Sequence, residues 1–152
     1  MSNLTITYTV DQSPETVFNA ITNVRGWWSE GLKGSSAQLN DEFTYRYQHY
    51  HVSKHKLIEV IPNKKIVWST EDSSLTFVDD KNEWTGTIIT FDITPKGNQT
   101  ELRFEHHGLT PECECYDACS NGWAQYVGGS LRSLITTGKG KPDQKEDAVA
   151  GR

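Results

Sequence analysis

Residues 116–137 constrain this chain more than any other stretch. Tyr116, Cys119, Trp123, Tyr126, Val127, Leu131, Leu134 and Ile135 recur at gaps of three, four, three, one, four, three and one. That is the stripe of an amphipathic helix with a period near 3.6 residues. Pro111 ends whatever precedes it and Gly138 stands ready as a C-cap. At about 1.5 Å per residue the helix is about 30 Å long, enough to cross a small domain. Gly128 and Gly129 interrupt it, at about 1 kcal/mol each against alanine. A compensation is therefore expected: close backbone approach, a kink, or space left for a ligand.

The rest of the chain supplies the surface for that helix. Leu4, Ile6, Tyr8 and Val10 alternate with polar residues as in a half-buried strand. Ser13-Pro14-Glu15 reads as an N-cap, a first-turn proline and an acid favoured by the helix dipole, opening a helix over 14–22. Val24 to Trp28 reads as a second short helix or turn, and Gly31 and Gly34 as a loop. From residue 42 the period returns to two, with Phe43, Tyr45, Tyr47 and His49 on one face. The next segment, 51–60, is apolar on both parities. Strands follow at 66–70, around Leu75 to Val78, at Ile89 to Ile93 and at Leu102 to His106, separated by turn signals at 62–65, 79–82 and 95–98. Strands joined by short turns pair antiparallel. The expected class is α+β: a curved antiparallel sheet of about six or seven strands wrapped around the terminal helix. Residues 139–152 are polar and aperiodic and are expected to be a disordered tail, leaving 1–138 as the domain.

Charge and composition exclude several functions. Fifteen basic against twenty acidic residues give a formal charge of −5, which does not suit a nucleic-acid binder. The one basic cluster, His49, His51, Lys54, His55 and Lys56, reads as a solvated strand edge. No apolar run reaches the length of a membrane span. The first residues lack a basic region and a signal core, so a cytoplasmic protein is expected. Three cysteines crowd at Cys113, Cys115 and Cys119. Their spacing is neither a disulfide framework nor a zinc finger, so free thiols and no metal are expected.

The motifs in this order resemble the START-like superfamily, also called the helix-grip or Bet v 1-like fold. Within it they are most similar to the family of the activator of the Hsp90 ATPase. The resemblance is carried by Ser13-Pro14-Glu15-Thr16-Val17-Phe18-Asn19-Ala20-Ile21-Thr22 and Trp27-Trp28. It continues in the stretch from Glu59 to Trp68, in Thr100 to His106, and in Gly122-Trp123 followed by Leu131 and Leu134. It spans residues 4–137 and implies an apolar cavity between the sheet and the long helix. The cysteine cluster and Gly128-Gly129 depart from the family pattern.

The candidates to line such a cavity are Trp28, Tyr45, Tyr47, Trp68, Phe77, Phe91, Phe104, His106, Trp123, Tyr126 and Val127. Aromatic walls with a few polar tips suit a small apolar or aromatic molecule; the plain alternative is that these residues fill the core. His106 has the inward parity and reads either as a core group or as a hydrogen-bond partner or base. Trp27-Trp28 reads either as a lid on the core or as a docking anchor. No nucleophile elbow or phosphate loop is present, and no cofactor is implied. Three functions follow: a carrier of an apolar molecule, a chaperone-linked interaction module implied by the family resemblance alone, and a cyclase- or hydrolase-like enzyme using His106 with Tyr45 or Tyr47. An edge strand is free to pair with a second copy as a homodimer.

Overall fold

A computed structural model describes residues 3–47, 51–76 and 83–143. Strand β1 (Leu4–Val10) leads into helix α1 (Pro14–Thr22). The Ser13 hydroxyl caps α1 by accepting the Thr16 N–H at 3.2 Å, and Val17, Ala20 and Ile21 form its buried face. A single 3-10 turn, Val24–Gly26, follows. Next come β2 (Lys33–Gly34), β3 (Glu42–Tyr47), β4 (His51–Ile61), β5 (Lys65–Leu75), β6 (Ile88–Lys96) and β7 (Gln99–His107). The chain ends in α2 (Tyr116–Gln125), a π-helical turn at Tyr126–Leu131, and α3 (Arg132–Thr137).

The seven strands form one antiparallel sheet in the order β1-β7-β6-β5-β4-β3-β2. The terminal helix lies across it, and all its buried residues are stripe positions except Ser130. Gly128 and Gly129 fall in the π turn, so of the three compensations the structure shows a kink, as a widening of one helical turn. Gly138, at φ 85°, closes the helix in the left-handed conformation.

Two local expectations are corrected and one irregularity is explained. Residues 66–70 and Leu75 belong to one strand, β5; Phe77, Val78 and the connection to Asn82 lie outside the described residues. Lys33 and Gly34 pair with β3 rather than forming a loop. The double parity of β4 comes from register shifts: Leu57 faces Trp68 and Glu59 faces Val67, so Ile58 is an extra residue pushed outward, 45% exposed.

The core is aromatic. Trp27, Trp28, Trp68 and Trp123 are all at most 1% exposed. The Trp28 ring lies parallel to Trp27 and to Trp68, each about 6 Å away. This buries Trp27 and Trp28 as core residues and leaves neither as a docking anchor. No helix among the described residues is long and apolar enough to cross a membrane.

The stretch after Gly138 was expected to leave the body, but its first residues do not. Lys141 N–H donates to Ser130 Oγ at 2.7 Å, Asp143 N–H to the Trp28 carbonyl at 2.9 Å, and Glu30 N–H to the Asp143 carbonyl at 2.9 Å. Backbone hydrogen bonds hold this strap, so hydropathy does not reveal it.

Candidate functional site

Where β3, the start of β4 and α2 meet, the sheet and helix do not close. Tyr45 and Tyr47 share one face of β3, two residues apart. Cys119, Gly122, Trp123 and Tyr126 follow the i, i+3, i+4, i+7 line of one helix face. With Trp28, His51, Trp84 and Ala118 they enclose a cleft of about 310 Å³. Gly122 matters here: a Cβ built on it meets only Tyr126, at 3.9 Å.

The walls are flat. Trp28 stacks on Tyr45 at 4.2 Å and 16°, and Trp84 stacks on Trp123 at 5.5 Å and 12°. His51 stands edge-on to both Tyr45, at 5.0 Å, and Trp84, at 4.5 Å. On the rim, Tyr45 donates to Asp143 Oδ2 at 2.7 Å, and Tyr126 donates to the same carboxylate at 2.8 Å. The two hydroxyl oxygens are 3.1 Å apart. Burial and the adjoining carboxylate push both phenol pKa values above the ordinary tyrosine value, so both stay protonated as donors. The strap therefore ties down two of the cleft's lining residues.

Behind the cleft runs a buried polar chain. Trp123 Nε1–H donates to His106 Nδ1 at 3.0 Å, and His106 Nε2 bonds Thr87 Oγ1 at 2.8 Å. Thr87 Oγ1 reaches the Trp84 carbonyl at 2.6 Å and Thr70 Oγ1 at 3.3 Å. Thr70 Oγ1 meets His55 Nδ1 at 3.1 Å, His55 Nε2 meets Ser53 Oγ at 2.9 Å, and Ser53 Oγ meets His51 Nε2 at 3.1 Å. Burial pushes the His106 pKa down to about 3 and holds His55 well below its ordinary value; His51 is shifted in the same direction for the same reason. All three are neutral near pH 7.

Of the residues expected to line a cavity, the structure brings Trp28, Tyr45, Tyr47, Trp123 and Tyr126 together around the cleft. Trp68, Phe91, Phe104 and Val127 are fully buried in the packed core, away from it. Phe77 lies outside the described residues. His106 is sealed, with both ring nitrogens bonded, so it has no nitrogen left to act as a base.

Sequence reasoning missed His51, Trp84, Ala118, Cys119 and Gly122 as lining residues. Space for a ligand was one of the three readings of Gly128-Gly129, and neither glycine lines this cleft. Gly129 instead borders a separate hollow with Gln125, Tyr126, Ser130, Lys141 and Asp143. The basic cluster is not a solvated edge throughout. His55 is buried and His51 half-buried, while Lys54, between them, points out. Their period of two, matched by Ser53, was the available signal. Cys115 and Cys119 are buried thiols and Cys113 is partly exposed.

Residues 11–136 match the family model of the Activator of Hsp90 ATPase homolog 1-like protein. The Aha1 dimer from Colwellia psychrerythraea, a solution structure, is 25% identical, with a TM-score of 0.71 over 92% of this chain and 100% of that one. Protein MLL2253 from Mesorhizobium loti is 22% identical, TM-score 0.67, covering 86% and 96% of the two chains. Protein SSP2350 from Staphylococcus saprophyticus is 17% identical, TM-score 0.68, covering 95% and 99%. Among curated proteins, none matches the chain by sequence.

Proposed function

The chain belongs to the Activator of Hsp90 ATPase homolog 1-like family, and from that footing we propose that it binds one small, flat apolar or aromatic molecule in the cleft between β3 and α2. The observation that carries this is the pair of parallel ring stacks facing a space left open by Gly122. The volume of about 310 Å³ is roughly twice that of an engineered cavity that takes benzene, so a bicyclic molecule fits. The test is titration with the neutral dye N-phenyl-1-naphthylamine. The wild type should bind it at one saturable site. Gly122→Leu should keep the fold and lose at least tenfold in affinity, because the new side chain projects into the cleft. Undiminished binding by that variant would put the dye elsewhere and end the proposal.

A second reading rests on the Aha1 neighbour: a chaperone-linked module, acting on the Hsp90 ATPase through an exposed surface. Ile58 and Ile61, 45% and 40% exposed on β4, support it. Pull-down of Hsp90 and stimulation of its ATPase decide it, and no binding at micromolar concentration removes it. The same neighbour is a dimer, and the outer edge of β1 pairs with no strand among the described residues, so a homodimer through β1 belongs to this reading.

A further inference from the structure

The buried chain behind the cleft has one end that the tryptophan decides. An indole N–H can only donate, so Trp123 makes His106 Nδ1 an acceptor and leaves the proton of the neutral ring on Nε2, donating to Thr87. Thr87 has one proton and directs it to the Trp84 carbonyl or to Thr70. In either case Thr70, 1% exposed, must place its own proton, and its remaining partner is His55 Nδ1. His55 then carries its proton on Nε2 and donates to Ser53, and Ser53 donates to His51 Nε2. Every bond points the same way. The opposite polarity leaves the buried Thr70 hydroxyl without an acceptor, which is costly in an apolar core.

The consequence falls on His51. With Nε2 accepting from Ser53, the proton of its neutral ring sits on Nδ1. That nitrogen has no hydrogen-bond partner among the described residues, and it is not among the sealed polar atoms. Its ring lines the cleft between Tyr45 and Trp84. The Tyr45 and Tyr126 hydroxyls, by contrast, already donate to Asp143.

We propose that His51 presents a fixed Nδ1–H donor to the cleft, so that the bound molecule is a flat apolar ring system carrying a hydrogen-bond acceptor, such as an aryl ketone. This rests on the cleft-binding reading and narrows it to one chemical class. His51 is the anchor, and Thr70 is a positioning residue that sets its tautomer through His55 and Ser53.

Three bicycles of similar size test it: indane, 1-indanone with an added acceptor, and indole with an added donor. The wild type should bind 1-indanone about tenfold more tightly than indane, and indole no better than indane. His51→Phe should bind indane and 1-indanone alike. Long-range ¹H–¹⁵N correlation of the imidazoles should show His51 as the Nδ1–H tautomer in the wild type and in Thr70→Ser. In Thr70→Val, which leaves His55 Nδ1 without its donor, that fixed tautomer should be lost. Equal binding of indane and 1-indanone by the wild type leaves the cleft reading standing and overturns the donor. An Nε2–H tautomer at His51, or a ketone preference that survives in His51→Phe, overturns it as well. If the wild type binds none of the three, the cleft reading fails and takes this proposal with it.

Discussion

Acidification from about pH 7 to about pH 5.5 should unfold this protein at a lower temperature, through its buried imidazoles. His106 and His55 are both 0% exposed, and burial depresses both pKa values below the ordinary 6.5, to about 3 for His106. The unfolded chain therefore takes up protons that the folded chain refuses. The stability this contributes is complete above pH 6.5 and is lost as the pH falls towards 3. The His106 value lies far below the window, so its loss within it depends on the unfolded value alone and comes to about 1.2 kcal/mol. His55 and His51, depressed by the same burial, add in the same direction. Glu42 and Glu105 have lowered pKa values, but the stability they carry is lost only below about pH 4.5, outside this window. At about 2–4 °C per kcal/mol the His106 part alone should lower the melting temperature by about 2–5 °C. Circular-dichroism melts across the window measure it. His106→Gln, which can still accept from Trp123 and donate to Thr87, should reduce the slope. A flat wild-type profile, or an unchanged slope in His106→Gln, would refute the argument that these rings are buried and neutral.

Two further outcomes follow from the core and the thiols. Trp28→Ala removes the ring that stacks on Trp27, Tyr45 and Trp68; urea unfolding should show a loss of about 3–5 kcal/mol, and a loss under about 1 kcal/mol would mean that the stack is not a core. Iodoacetamide followed by mass spectrometry should find Cys113 modified first and Cys115 last. Cys115 is 1% exposed, and its thiol pKa is pushed up, first by its hydrogen bond with Cys119 and then by burial.

The elements that could be read from the sequence were those whose periodicity is itself the cause of their burial. The stripe from Tyr116 to Ile135, the Ser13 cap and the inward parity of Phe91 and Phe104 all depend on local spacing. The rest depends on partners distant in sequence. His51, Ser53 and His55 are polar residues on an inward parity, and they are tolerated because Thr70 on β5 meets His55, and Thr87, just before β6, in turn meets Thr70. Nothing within β4 announces that. Half of the cleft was legible because large aromatics draw attention. The other half was not: Gly122 and Ala118 contribute by being small, Trp84 sits in a turn outside any periodic element, and His51 is a polar residue whose ring partners lie elsewhere in the chain.

The glycines make the same point in a form that can be measured. Gly128-Gly129 stands out in the sequence because a helix interior disfavours both residues. Yet a Cβ on Gly128 meets nothing within 4 Å, and one on Gly129 meets only the Ala124 carbonyl at 4.0 Å. Neither position is tight, so Gly129→Ala should raise stability by about 0.5–1 kcal/mol by restricting the unfolded chain. Gly140, in the polar tail, attracts no attention. A Cβ there overlaps the Gly26 carbonyl oxygen and lies 3.2 Å from the Ser130 carbonyl oxygen, both backbone atoms that cannot move aside cheaply. Gly140→Ala should therefore unseat the strap. The Asp143 N–H bond to Trp28 and the Glu30 N–H bond to Asp143 should open, and the Tyr45 and Tyr126 hydroxyls should lose their carboxylate. The core does not depend on the strap, so global unfolding should shift little. Amide exchange at Glu30 should accelerate by an order of magnitude or more, as is typical when a protecting bond is lost. If Glu30 stays protected in Gly140→Ala while Gly129→Ala is the variant that loosens the fold, then the strap is not held by that close approach and the helix glycines are the constrained pair after all.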